Sequence, residues 1–185
     1  MKVIKTEIAG LLILESDVYS DNRGYFFESF NKLRCENIGI NYDFVQDNIS
    51  RSKKGTVRGL HYQVGDKAQG KLCQVIEGEV LDVAVDIRFH SPTFGKHFSQ
   101  ILNSENKLQL WIPSGFAHGF SVLSEQAIFS YKCTSYYSKV HERTILYNDP
   151  YLNIDWKVSD SIVSEKDLNS ILFKNIEKDF VYKPE

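Results

Sequence analysis

Five side chains, Arg58, His61, Lys71, His118 and Tyr131, are of types that could carry out chemistry together. They fall in or near stretches that mix polar residues with turn glycines: residues 44–48 and 55–63, residues 69–71, and residues 113–120. An unpaired polar group in a protein interior costs about 1–3 kcal/mol. Polar strand residues therefore have to face water or a wet cavity, and the mouth of a barrel offers one. An imidazole and a phenol on opposite walls of such a cavity would take a proton from one face of a carbon and return one to the other, with no cofactor. Cationic or hydrogen-bond donors such as Lys71, Arg58 and His118 would stabilise an enolate oxygen formed on the way, or bind an anion. Taken singly, His61 is better read as a hydrogen-bonded strand histidine. Tyr131, which shares its face with Phe129 and Cys133, is better read as packing. Their company moves the reading toward a site.

The glycine and histidine spacing also resembles that of metal-binding cupins. Gly55 followed at six residues by His61 matches the opening of that pattern, and Pro113-x-Gly115-x-x-His118 matches its second half. The second histidine of the usual pair is Gln63 here, and the position expected to hold a glutamate ligand is Lys71. An ammonium group has no lone pair for a metal, and catalytic zinc usually takes three protein ligands. The expectation is a cupin-like barrel without metal or cofactor.

Elements able to position these residues are short and alternating, which predicts an all-β jelly roll. In residues 81–88 every odd position is apolar, whereas Asp82, Asp86 and Arg88 occupy even ones. Residues 71–76, followed by the turn signal Glu77-Gly78-Glu79, are expected to pair with that run as a hairpin. Further strands are expected over residues 10–14, 24–30, 43–50, 56–63, 109–113, 120–123 and 127–133. A short helix is expected over 31–37. A second is expected from Ser164, with Leu168, Ile171, Leu172 and Ile176 at helical spacing. Strict alternation puts Arg58 and His61 on opposite faces, unless a bulge at Gly59 re-aims one of them. No internal repeat or linker interrupts the chain, so residues 1–185 are read as one domain.

Composition narrows the function classes. With 22 basic and 24 acidic side chains the net charge is −2, which lacks the basic field that nucleic-acid binding needs. Arg51, Lys53 and Lys54 form the densest basic cluster and read as a solvated turn. Three cysteines at wide spacing suggest neither a zinc knuckle nor a redox pair, and read as reduced core thiols of a cytoplasmic protein. No apolar run is long enough to span a bilayer. Twelve Phe, ten Tyr and two Trp suit strands and also sugar or nucleotide pockets.

Several motifs in order carry a resemblance to a known family. Asp21-Asn22-Arg23-Gly24-Tyr25-Phe26, Val57-Arg58-Gly59-Leu60-His61-Tyr62-Gln63, Gln69-Gly70-Lys71-Leu72, Asp82-Val83-Ala84-Val85-Asp86-Ile87-Arg88, Phe116-Ala117-His118-Gly119-Phe120 and Ser164-Glu165-Lys166-Asp167 together resemble the dTDP-4-dehydrorhamnose 3,5-epimerase family. That resemblance implies inversion of C3 and C5 of dTDP-4-dehydro-6-deoxy-D-glucose, the step before reduction to dTDP-L-rhamnose. It implies His61 as base with Asp167 as its carboxylate partner, Tyr131 as proton donor and Lys71 on the enolate oxygen. Substrate contacts are implied at Arg23, Phe26, Glu28, Gln46, Asp47, Asn48, Arg58, His118, Glu142 and Lys166. A homodimer is implied, with Arg23 and Glu28 acting across the interface. Residues 64–68, where relatives often carry prolines, read Val-Gly-Asp-Lys-Ala and are expected to alter a rim loop. The competing readings are a 3-epimerase of a related dTDP-sugar, a metal-dependent cupin oxygenase (disfavoured by Gln63 and Lys71), and a noncatalytic sugar-nucleotide barrel.

Overall fold

The structure, a computed structural model, describes residues 1–184. In chain order its strands are β1 (Lys2–Lys5), β2 (Leu12–Glu15), β3 (Tyr19–Asp21), β4 (Gly24–Phe26), β5 (Gln46–Lys53), β6 (Val57–Gln63), β7 (Lys71–Glu77), β8 (Glu79–Asp86), β9 (His97–Asn103), β10 (Leu108–Ile112), β11 (Phe116–Val122), β12 (Gln126–Cys133) and β13 (Glu142–Thr144). Two short helices, α1 (Lys32–Asn37) and α2 (Glu165–Leu168), and two 3-10 turns complete the set. The larger sheet runs β1-β2-β10-β7-β12-β5 and the smaller β13-β6-β11-β8-β9, while β3 and β4 form a detached hairpin. The paired strands are antiparallel throughout. This is the jelly roll that the alternation predicts.

Three apolar clusters explain why so many strand residues are buried on both faces. Between the sheets lie Cys73, Val75, Leu110 and Phe129 from the larger one and Val80, Ala84, Phe116, Phe120 and Val122 from the smaller. Outside the smaller sheet, Val57, Leu60, Leu81, Val83, Val85 and Ala117 meet Ile145, Leu152, Trp156 and Phe173 of the C-terminal segment. Outside the larger one, Leu14, Leu72 and Trp111 pack with Cys35 and Ile40 around α1. The apolar odd face of β8 thus turns outward, under the C-terminal segment. Its even face, bearing Asp82 and Asp86, looks into the barrel. Ser121 on β11 donates to the Trp156 carbonyl at 2.6 Å, pinning that cover in place.

Two expectations fail. Strands β7 and β8 do not pair as a hairpin: β7 lies between β10 and β12, and β8 between β11 and β9. Gly78 is instead the point where the chain changes sheets. Its φ of +80° and the approach of the Gln126 carbonyl, 2.1 Å from where a Cβ would stand, both require glycine. The late helix is also shorter than its apolar spacing suggests. It stops at Leu168, and Ile171 forms an isolated bridge to Ile145. Burial in the outer cluster, rather than helical periodicity, accounts for Phe173 and Ile176. Strands β1, β3, β9 and β13 had no counterpart in the alternation pattern. Helix α1 forms as expected, with the Asn31 side chain accepting from the Arg34 N–H at its N-cap. All three cysteines are buried and free.

Candidate active site

The inward faces of β5, β6, β7, β11 and β12 line one cleft at a barrel mouth. It has two lobes of about 260 and 280 Å³ that share Asn48, His61, Lys71 and Tyr131. One lobe adds Arg58, His118 and Phe120; the other adds Gln46, Gln63, Gln69, Tyr137 and Glu142. Phe120, which lines the first lobe, stacks on the fully buried Phe129 with ring centroids 4.3 Å apart.

Arg58 and His61 reach the same cleft because β6 carries one residue more than its partner. His118 lies opposite His61 and Phe120 opposite Arg58, so three steps along β6 match two along β11. The bulge sits at Gly59, whose φ is +133° and whose missing Cβ would stand 2.5 Å from the Gly119 Cα. Two glycines facing one another let the strands close around it. Of the two orientations that alternation left open, the bulge gives the shared one.

The His61 Nε2 lies 2.6 Å from the Asp167 Oδ1. Asp167 is presented by α2, whose Ser164 cap accepts the Asp167 backbone N–H at 3.2 Å, and its Oδ2 accepts the Gly59 N–H at 3.5 Å. Burial works to raise the Asp167 pKa. The bond and charge of His61, with the Gly59 and Ser164 hydrogen bonds, outweigh it and hold the carboxyl below its usual range. With that carboxylate ionised, His61 donates its Nε2 hydrogen to it, and Nδ1 keeps a basic lone pair.

Tyr131 stands on the other sheet, on β12, and packs against Phe129. Burial pushes its phenol up to about 12, so it carries its proton at neutral pH. Lys71, 8 % exposed, lies with its Nζ 3.4 Å from the His61 carbonyl oxygen and 3.5 Å from the His118 Nδ1. His118 is held in turn by Asp82, its Nε2 2.7 Å from the Asp82 Oδ1. Burial pushes the His118 pKa down, further helped by the Lys71 charge and opposed by Asp82.

Among the other residues singled out from sequence, Gln46, Asn48, Arg58 and Glu142 line the cleft, and Lys166 reaches its rim through a 2.6 Å ion pair with Glu142. Asp47 does not. Alternation along β5 turns its side chain outward, where it pairs with Lys132 at 3.0 Å. Arg23 and Phe26 lie on the detached hairpin and line a separate depression, and Glu28 is engaged by Asn31 and Arg34. The segment expected to alter the rim forms a 3-10 turn over Gly65–Lys67, and the Gln63 side chain donates to the Lys67 carbonyl at 2.7 Å. Sequence reasoning gave no role to Tyr137 or Gln69, which line the second lobe, or to Asp82. The polar even face of β8 was the available signal for the last of these.

A cupin metal would need ligands where Gln63 and Lys71 stand, and Lys71 brings a cation to that point. Those residues do not fit a metal.

Comparison with known proteins agrees with this geometry. A curated dTDP-4-dehydrorhamnose 3,5-epimerase of Shigella flexneri is 56% identical over 174 residues, covering 94% of this chain and 96% of the relative. The crystal structure of a dTDP-6-deoxy-D-glucose-3,5-epimerase from Legionella pneumophila Philadelphia 1, in complex with dTDP-4-keto-L-rhamnose, superposes with a TM-score of 0.95 at 51% identity, covering 99% of each chain. A 3'-monoepimerase from Streptomyces bikiniensis, in complex with dTDP-quinovose, is more distant, with a TM-score of 0.85 at 29% identity over 91% of this chain and 86% of that one. The family profile described as dTDP-4-dehydrorhamnose 3,5-epimerase matches residues 5–175, and the chain belongs to that family.

Proposed function

We propose that this enzyme inverts C3 and C5 of dTDP-4-dehydro-6-deoxy-D-glucose to give dTDP-4-dehydro-L-rhamnose. The observation that carries the reading is the cleft itself, with His61 on one sheet and Tyr131 on the facing one. His61 Nδ1 takes the C3 proton, which the neighbouring C4 ketone makes acidic. The electron pair moves into a C3–C4 enolate. Asp167 stabilises the imidazolium that forms, and the Lys71 ammonium stabilises the oxygen that gains charge. Tyr131 delivers a proton to the opposite face of C3, and the same cycle at C5 follows from the symmetry of the two carbons about the ketone. Arg58, through its guanidinium fork, suits the diphosphate, and the polar second lobe suits the nucleoside. The higher identity to the double epimerases than to the monoepimerase favours two inversions over one.

The chain is taken to act as a single domain and as a homodimer. The hairpin of β3 and β4 exposes Tyr19, Tyr25 and Phe26, and Arg23 and Glu28 lie outside this chain's own cleft. A partner subunit that receives the hairpin would bring Arg23 and Glu28 to its diphosphate. Three free, buried thiols suit the cytoplasm. Turnover in heavy water, read by mass spectrometry, tests the chemistry: two deuterons per product are expected. One deuteron, at C3, would make the enzyme a 3-epimerase, and none would refute proton abstraction.

A further inference from the structure

Asp82 is fully buried on β8, on the face of the strand that looks into the barrel. Only one of its oxygens is used. Oδ1 meets the His118 Nε2 at 2.7 Å, and Oδ2 has no hydrogen-bond partner among the described residues. Val80, Ala84 and Phe120, which belong to the apolar cluster between the sheets, lie beside it in sequence or directly opposite it. A carboxylate there with one orphan oxygen costs stability that an apolar side chain of the same size would not. Packing does not account for Asp82, but the hydrogen-bond inventory does.

A carboxylate can only accept, so the His118 nitrogen facing it must carry the hydrogen. The Cys73 Sγ, 3.7 Å from the same nitrogen, is a weaker partner and cannot substitute for the charge. The His118 ring plane is fixed by Phe129, stacked at 6.0 Å, and by the edge of Tyr131. Its Nδ1 therefore presents a bare lone pair to the Lys71 Nζ. Lys71 has three N–H donors. One faces the His61 carbonyl oxygen, one faces this lone pair, and one remains for the cleft.

We propose that Asp82 is a positioning residue that acts through the His118 tautomer to aim the free Lys71 N–H at the substrate's C4 oxygen. With the opposite tautomer, or with His118 protonated on both nitrogens, donor would meet donor and Lys71 would swing out of line. The proposal rests on Lys71 serving the enolate as described above. Its first test does not, because the tautomer exists without turnover.

Nitrogen-15 NMR of the resting enzyme near neutral pH, with His118→Gln for assignment, should show His118 protonated at Nε2 and bare at Nδ1. The Asp82→Leu variant, which removes the acceptor and fills the same space, should melt no lower than wild type. It should bind dTDP within about twofold and lose about 10- to 100-fold in kcat, the range typical of groups that orient a site's ligands from behind. A resting His118 protonated at Nδ1 or doubly protonated would overturn the proposal, as would a kcat unchanged in Asp82→Leu. Should that variant fail to fold, the wild-type spectrum still decides. Loss of deuterium incorporation in wild type would refute the reaction while leaving the tautomer assignment intact.

Discussion

Two histidine–aspartate pairs stand in this barrel at nearly equal length, 2.6 Å for His61–Asp167 and 2.7 Å for His118–Asp82. They differ in burial. The His61 side chain is 30% exposed and opens on the cleft, whereas that of His118 is 6% exposed with its aspartate at 0%. They also differ in what holds the carboxylate. Asp167 has further donors in the Gly59 and Ser164 groups, and Asp82 has none beyond His118 among the described residues. On the reaction proposed above, the same chemical pair would act in two ways: at the ring that solvent reaches it would serve proton transfer, and at the ring that solvent does not reach it would fix one tautomer. Spacing alone does not separate the two, since both histidines sit on adjacent strands directly opposite each other.

If the pairs differ in this way, the largest effect belongs to His61→Asn. It should abolish deuterium incorporation at both carbons and reduce turnover by about 10²–10⁴-fold, the usual range for a general base. Exchange in this variant equal to wild type would place the base elsewhere. His118→Gln should retain measurable exchange, and equal losses in the two variants would erase the distinction. Next, Asp167→Asn should lower kcat by at least tenfold more than Asp82→Asn. The first removes the charge that stabilises a forming imidazolium, whereas the second still offers an oxygen to a ring whose protonation does not change. Tyr131→Phe should separate the two halves of the cycle, keeping proton removal and exchange while correct product formation falls by about 10²-fold. Chiral analysis of the recovered sugar would show it.

The smallest effect concerns acid stability. Because the folded Asp167 pKa lies below its ordinary value, the stability it contributes is complete above the unfolded carboxylate pKa and is lost as pH falls through the folded one. The wild-type Tm should therefore drop below about pH 4. Asp167→Asn should flatten that drop by a few degrees, since about 1 kcal/mol corresponds to about 2–4 °C at this chain length. An identical acid profile in both proteins would show that the pair adds nothing to folding.

Much of this was legible in the residues. The period of two in β8 announced two chemically distinct faces, and the turn glycines marked the cleft. Which face looked inward was not legible, because a C-terminal cover lets a jelly-roll strand be apolar on the outside and carry Asp82 and Asp86 within. Gly78 read as a hairpin turn. Only the neighbouring Gln126 carbonyl, far along the chain, shows that no side chain fits and that the strands part there. Asp47 sat in a motif with Gln46 and Asn48, yet the pleat turns it away from both. Gln69 sat in a polar stretch beside Gly70 but carried no role of its own, and Tyr137 gave no local pattern, since loop residues reach the cleft only through the tertiary fold.

The extra residue in β6 also acts as a phase change in the strand's register. Before it, even-numbered Arg58 faces inward; after it, odd-numbered His61 and Gln63 do, and both ends are anchored by pairing with β11 and β13. Substitutions along this strand alter one side chain each. Gly59 is the exception: a β-carbon there would meet the Gly119 Cα, and the same residues forced to run without the bulge would, by strict alternation, turn the guanidinium to the outer wall. The backbone shape at Gly59 is thus as constrained as the identity of the side chains around it, and a folded Gly59→Val variant that still bound dTDP as tightly as wild type would show otherwise.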